Sequence, residues 1–592
     1  MINAKTTLTL ASGMELKDGK QDNTNLKIST GDTVNYTWII KIPVTTEDRN
    51  LEYSVTVTSE VSSTVTGYDS IFVNGINEND NRLDFMVDTW NFANYSAKPI
   101  PLTQEDYDAL FTNLSNAERT LIRKEISSGT DGNCYGMAIT TILAKTERLS
   151  VDRLQSGAAN LHAVSKNQAA KSAIGYYYVT QNLSPSADLF ASYQTQPEQT
   201  KINDLKNLAD KVSAGGVPVF LCFYMDDKDG NTAGHAICAY GQESCNLSRN
   251  GTTYNSRILI YDNNYPTVTE EAYLYFNDNG DWTIPIYADS KEKYSNFRLA
   301  MVTTEMKYID MFNIETSRTS ANSYLTARGN TDLKIEANGT TYLVNQTKVQ
   351  GGDDVVAYYD IGGAENKLNI VIEKPQSGSE TASKVSPQKQ GESLNLTAMY
   401  DNFFIEANAN TPVAIQLDPS GSVEIDGKVK AFDMSLTGNE GYNALPWYTL
   451  EVSGESGTNP KMEASAEGYI LSGESLKKIK VFASDDATAN ELSIKTDGSK
   501  ILISSDGTNL TAREDKDGDG KYETVLSTGH KADPNDPRGG GTGGWTWWKI
   551  LLAVLGGVAI VATVVLVFLK IKLGNGGTKK NKKSKGDDEY KW

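Results

Sequence analysis

Histidine is nearly missing from this chain: 592 residues contain only His162, His235 and His530. Chemistry that needs an imidazole therefore has few places to occur, and zinc has little to bind. Cysteine is scarce as well. Four residues, Cys134, Cys222, Cys238 and Cys245, fall within one stretch, too few for a disulfide scaffold in so long a chain. Basic residues are outnumbered, 56 Lys and Arg against 75 Asp and Glu, for a net charge of −19. That balance excludes the basic face on which nucleic acid binds and suits a solvated cell-surface protein. From about 315 to 528 no strict internal period is present, which argues against a repeat array there. Met1 to Lys20 has neither a basic start nor an apolar run, so no signal peptide is visible.

One long apolar run is present. Ile550 to Leu569 carries no charge, and Thr563 is its one polar side chain. A helix rising about 1.5 Å per residue over that span crosses a hydrocarbon layer of about 30 Å. Trp545, Trp547 and Trp548 precede it, where amphipathic rings settle at the lipid boundary. Lys570, Lys572, Lys579, Lys580, Lys582, Lys583 and Lys585 follow it, a stop-transfer pattern that places the tail in the cytoplasm. The expectation is a single-pass protein of the cell membrane with its bulk outside. The opposite topology, a tail anchor with the bulk in the cytosol, would drive those lysines across the bilayer.

The chain reads as multidomain. Residues 1–84 contain runs such as TVNYTWIIKI and LEYSVTVTSEV, rich in Val, Ile, Thr and Tyr, which predict an N-terminal β-sandwich. Over 85–314 helical spacing comes first, with a capping-box pattern at Ser115 and Glu118, and strands such as VPVFLCFYM, HAICAYGQE and RILIYD follow. Helices followed by an antiparallel sheet make an α+β domain. Residues 315–528 are strand after strand, one or two β-sandwich domains. Residues 529–549 form a Gly/Pro/Asp-rich flexible spacer, 550–569 the transmembrane helix and 570–592 the basic cytoplasmic tail.

Cys134 stands in SSGTDGNCYGMAITTIL, where a turn-forming stretch delivers the chain to an apolar helix whose first turn carries the thiol. The free N–H groups and positive dipole end of a helix favour a thiolate there. His235 lies in GHAICAYG, at the start of an apolar strand, and Asp262 ends the strand RILIYD. A carboxylate at a strand end can accept the second imidazole N–H and fix the ring's tautomer. The order Cys134, His235, Asp262 thus offers nucleophile, base and orienting group. Cys222 and Cys238 lie inside apolar strands and read as core residues.

These segments resemble the papain-like cysteine peptidase superfamily. The likeness is closest to its bacterial, bacteriocin-processing-peptidase-like branch, with a GNCYGMA-type nucleophile segment, a GHA-type histidine strand and a strand ending in YDxN. The resemblance covers roughly residues 88 to 310, a size usual for one domain. It implies Cys134 as nucleophile, His235 as general base and acid, and Asp262 as third member, with Asn263 as its alternative. It implies peptide or protein substrates and no required cofactor. In one respect the chain departs from the family: the glutamine that commonly precedes the nucleophile and donates to the oxyanion is absent, and Ser128 stands in its place. The Cys134 backbone N–H with a donor from Ser128 or Asn133 would serve instead. A reading of another class is a catalytically inert surface adhesin that binds through its β-sandwich domains. Transglutaminase-like and cell-wall amidase domains also use Cys and His, usually closer together in sequence.

A second motif, EDKDGDGKYE, places Asp515, Asp517 and Asp519 at alternate positions before Gly520, like the opening of a calcium loop. Leu526 stands where a bidentate Glu would close an EF-hand. The segment 515–523 is read either as a structural calcium site or as a plain acidic hairpin turn.

Overall fold

Alternating Thr, Val and Tyr residues at the amino terminus pair as antiparallel strands in the computed structural model of the chain. The structure describes residues 2–531 apart from 30–32, 43–48, 62–63, 74–81, 113, 213, 267–271, 292, 311–321, 330–331, 346–347, 364–366, 375–379, 390–392, 410–413, 440–448, 485–488, 497–499 and 506–508. The apolar run Ile550–Leu569, most of the spacer before it and the basic tail lie outside the described residues. Among the described residues no helix is long and apolar enough to cross a membrane.

Two units divide the chain: Met1–Asn81 with Val212–Gly216, and Arg82–Lys211 with everything from Val217 on. In the first, the strands Asp22–Ile28, Ile2–Thr9, Arg49–Ser59 and Val65–Val73 form one sheet in that order, and Glu15–Asp18 pairs with Ile39–Lys41 in a separate ribbon. The region expected as a sandwich is, among the described residues, this sheet and this ribbon.

The second unit begins with helices. Asn116–Ser128 is closed at its start by the capping box read in the sequence: the Glu118 N–H meets Ser115 Oγ at 3.3 Å, and the Ser115 N–H meets Glu118 Oε2 at 2.9 Å. Cys134–Lys145 is buried from Cys134 through Leu143. It packs against the helix Gln168–Val179 so closely that a Cβ on Gly136 would lie 1.9 Å from the Ile174 carbonyl oxygen. Only glycine permits that approach. A six-stranded antiparallel sheet follows, in the order Trp282–Thr283, Tyr273–Phe276, Thr252–Tyr261, Thr232–Arg249, Val219–Asp226 and Ser295–Thr303. Every residue of Val219–Asp226 is buried, which is why its sequence is an unbroken apolar run rather than an alternation.

Among the described residues from Ser323 on, two antiparallel sheets of ten and twelve strands enclose one contiguous core that runs from Leu325 to Ala512. The region expected as one or two sandwiches therefore has a single core. Strand alternation builds it: Leu333, Ile335 and Ala337 face inward, while Lys334 and Glu336 face out. One patch departs from that pattern. Phe403 and Phe404 point to opposite faces of their strand, yet both are fully buried. Phe403 belongs to the sandwich core, whereas Phe404 and Met399 pack with Ala117 and Leu121 of the helix Asn116–Ser128. The helix covers the outer face of the ten-stranded sheet and joins the α+β half to the sandwich. Phe404→Ala is expected to cost about 3–5 kcal/mol, the range for large-to-small core substitutions. A matching drop in the denaturant midpoint would be the readout; an unchanged midpoint would contradict this packing.

Candidate active site

Cys134 is the first residue of its helix, and the turn before it is held from the side. Thr130 and Ala97 exchange backbone hydrogen bonds at 2.8 and 3.0 Å, and the Asn133 N–H reaches the Tyr95 carbonyl at 3.1 Å. The thiol thus sits on a rigid element at the positive end of a helix twelve residues long.

His235 opens the apolar half of Thr232–Arg249. Its Nε2 lies 2.9 Å from Asp262 Oδ1, and Cys134 lies close enough to act on the charge of the imidazole. With Nε2 committed to the carboxylate, Nδ1 is the nitrogen left for the thiol. Cys134 and His235 are each 1 % exposed. Phe223 and Tyr287 flank the imidazole in T-shaped contact at centroid distances of 5.6 and 5.8 Å, which restricts the ring plane.

Asp262 is itself held in place. Its Oδ1 accepts from the Asn264 N–H at 2.9 Å, and its Oδ2 from the Tyr287 hydroxyl at 2.8 Å, which in turn accepts from Asn264 Nδ2 at 2.7 Å. Asn263 serves differently. Its amide donates to the carbonyls of Ala236 at 2.8 Å and Cys134 at 3.2 Å, tying the histidine strand to the nucleophile helix. The structure therefore brings Cys134, His235 and Asp262 together, the last two hydrogen-bonded, with Asn263 beside them on main-chain carbonyls.

The expected oxyanion donors are placed elsewhere. Ser128 ends the helix Asn116–Ser128, and Asn133 gives its side-chain N–H to the Tyr95 carbonyl at 2.7 Å. The donors that converge on a carbonyl oxygen beside Cys134 are the Gly132 N–H, at 3.0 Å, and the Thr130 hydroxyl, at 2.6 Å; the acceptor is Gly362. Thr130, Gly132 and Tyr287 were not singled out by sequence. Only the position of the first two just ahead of Cys134 could have drawn attention to them.

Burial alone would pull the His235 pKa down, but the charges of Asp262 and Cys134 and the hydrogen bond to Asp262 outweigh it and push the value up to about 10. The remaining buried thiols are inert by comparison: burial pushes both Cys222 and Cys238 up, and the Cys238 Sγ donates to the Ala138 carbonyl at 3.3 Å. His162 lies in the short turn Leu161–Ala163, and His530 pairs at the edge of the ten-stranded sheet.

Asp515, Asp517 and Asp519 bring one carboxylate oxygen each within 4.8 Å of the others, and could hold a cation. Much of their acceptor capacity is already used. Asp515 accepts from the Gly518 and Gly520 N–H groups at 2.9 and 3.2 Å, and Asp519 pairs with Lys521 at 2.5 Å.

The raised pKa of His235 has a measurable consequence. Its folded-state value lies above the ordinary histidine value of about 6.5. The stabilisation from this charged ring is therefore complete below about pH 6.5 and lost as pH rises through about 10. In an NMR titration of labelled histidine, one of three imidazoles is expected to stay protonated well beyond neutral pH. Asp262→Asn should bring its midpoint down, and a midpoint that does not move would contradict the pairing. No protein-family model matches this chain and no curated protein matches it, so the geometry of these residues is what bears on function.

Proposed function

We propose that this protein is a papain-like cysteine peptidase held at the cell surface by Ile550–Leu569. The observation that carries the reading is the buried Cys134–His235–Asp262 chain, with the thiol at a helix start and both partners of the imidazole in place.

The chemistry follows from the charges. Its neighbours make His235 the group that holds the proton, and the Cys134 sulfur, at the start of its helix, is the nucleophile. Sγ attacks a peptide carbonyl carbon, and the oxygen takes up negative charge. Backbone N–H groups at the start of the helix, with the Thr130 hydroxyl, are the donors suited to stabilise it. His235 gives its proton to the leaving amine as the thioester forms. It then takes a proton from water, which attacks the thioester and frees the acid. Asp262 keeps the ring oriented through both steps, and the Tyr287 hydroxyl and Asn264 N–H hold the carboxylate in place.

A second reading, an inert surface-binding protein, draws on the near-complete burial of Cys134 and His235. Intact-mass analysis with a peptide-like electrophile separates the two. One equivalent is expected on Cys134, with none on the Cys134→Ala protein. Whatever peptide hydrolysis the chain performs should fall by about a thousand-fold or more with the same substitution. Equal labelling of all four cysteines, or full hydrolysis by Cys134→Ala, would sink the peptidase reading.

A further inference from the structure

The groups that close the cleft belong to the chain itself. Between the sandwich strands Val355–Tyr359 and Lys367–Ile372, the segment Asp360–Gly363 crosses Cys134, and its main chain is bonded to both walls. The Ile361 N–H donates to Gln181 Oε1 at 2.9 Å, and Gln181 Nε2 returns a bond to the Ile361 carbonyl at 3.2 Å. A neighbouring β-strand would offer an extended peptide the same pair of bonds. The Gly362 N–H donates to the Gly234 carbonyl, the residue before the imidazole, at 3.1 Å. Its carbonyl faces the Gly132 N–H and the Thr130 hydroxyl, two residues and four residues before the thiol. Four consecutive main-chain groups are thus satisfied by the cysteine side, the histidine side and Gln181. Ile361 is fully buried, and Tyr224 holds the preceding Tyr359 carbonyl at 2.8 Å.

Glycine at 362 is a requirement of that fit. Its φ is +68°, and a Cβ there would lie 2.1 Å from the Gly132 carbonyl oxygen and 3.2 Å from Cys134 Sγ. Gly234 opposite is constrained in the same way, since a Cβ on it would meet the Asp360 carbonyl at 2.7 Å.

We propose that Asp360–Gly363 is an intramolecular pseudo-substrate, a strap from the β-sandwich whose main chain bends through the nucleophile cleft at Gly362 and holds Cys134 latent. The term pseudo-substrate rests on the peptidase reading; the occlusion itself does not. Tethering explains why such a segment inhibits rather than being consumed. Attack of Sγ on the Gly362 carbonyl carbon would form a thioester and expel the Gly363 amine with a proton from His235. The flanking strands are paired from Val355 with Ile372 to Tyr359 with Leu368, so the amine stays beside the thioester. Its re-attack restores the peptide bond and returns the proton to His235, at an effective concentration that water in a closed cleft does not match.

The test is the rate of Cys134 alkylation by iodoacetamide on the full chain, read by peptide mass mapping, with the buried Cys222 and Cys238 as internal controls of folding. Gly362→Leu cannot keep the strap seated, and Cys134 alkylation is expected to rise at least about tenfold while the controls stay protected. Ile361→Ser and Gln181→Ala loosen the strap without adding bulk. They decide the matter where Gly362→Leu exposes the control cysteines. An unchanged rate in these variants overturns the strap, whatever the peptidase activity. A raised rate with no hydrolysis of any peptide in a substrate library supports the strap and overturns the peptidase reading. A raised rate with faster hydrolysis of a library peptide supports both. Wild-type chain recovered cut between Gly362 and Gly363 would overturn the inhibitory role, because the strap would then be a spent substrate.

Discussion

A buried charge cluster holds the α+β half and the β-sandwich of the second unit in register. Glu125 of the helix Asn116–Ser128 pairs with Arg328 and with Lys367, the latter at 2.8 Å; Lys367 also pairs with Asp360, and Lys124 with Glu406. Three carboxylates therefore meet three cations, most of them almost fully shielded from water. Burial alone would raise the Glu125 pKa, but Arg328 and Lys367 outweigh it and hold the carboxyl well below the usual range. Such a cluster is a poor source of net stability, since desolvation offsets the attraction. Its cost falls on alternatives: any docking that separates the partners leaves a buried charge unpaired, at about 3–5 kcal/mol per broken pair. The cluster thus specifies one arrangement, and the apolar contact of Leu121 with the Met399 and Phe404 patch supplies area to it. Further along the same sheet, burial with Glu406 and Asp433 nearby pushes Glu451 up to about 8, so it enters as a neutral group and leaves the balance undisturbed.

Asp360 belongs both to that cluster and to the strap over Cys134. Its carboxylate is held by Lys367 and Asn369, its carbonyl lies against Gly234, and Ile361 and Gly362 follow directly. The charge pairs that seat the sandwich on the helix therefore also set where the strap falls in the cleft. Closure of the site and docking of the two halves are one structural event, carried by residues next to each other in sequence.

Much of the site could be read from sequence because the chain is so short of the relevant residues. With so few imidazoles, and His235 the one at the head of an apolar strand, the partner of Cys134 was nearly determined. Asp262 was legible because a strand end exposes a carboxylate at a defined place. The strands of 315–528 announced themselves by alternation, and the helix start at Ser115 by its capping box. What could not be read depends on long-range contact. Tyr287 carries no local signal, Gln181 lies in a helical stretch, and Ile361-Gly362-Gly363 reads as an ordinary turn between strands. Nor does sequence spacing say whether Asp262 or Asn263 turns toward the imidazole, because adjacent residues after a strand end are separated by the turn geometry itself. The doubly buried Phe403-Phe404 pair breaks the alternation for the same reason: a helix distant in sequence covers the second face.

These contacts bear on what counts as the working unit. Cut at the end of the six-stranded sheet, the α+β half would expose Leu121 and leave Lys124 and Glu125 without Glu406, Arg328 and Lys367, all of them sandwich residues. It would also open the cleft, because the strap would be gone. A gain in thiol reactivity and a loss of stability would then arrive together and could not be told apart. Within the full chain the two effects separate. Asp360 sits where they join, whereas Gly362 and Gln181 touch the strap and none of the ion pairs. The sandwich therefore lines the cleft as well as docking on the helix, and the near-complete burial of Cys134 is set in part by residues far from it in sequence.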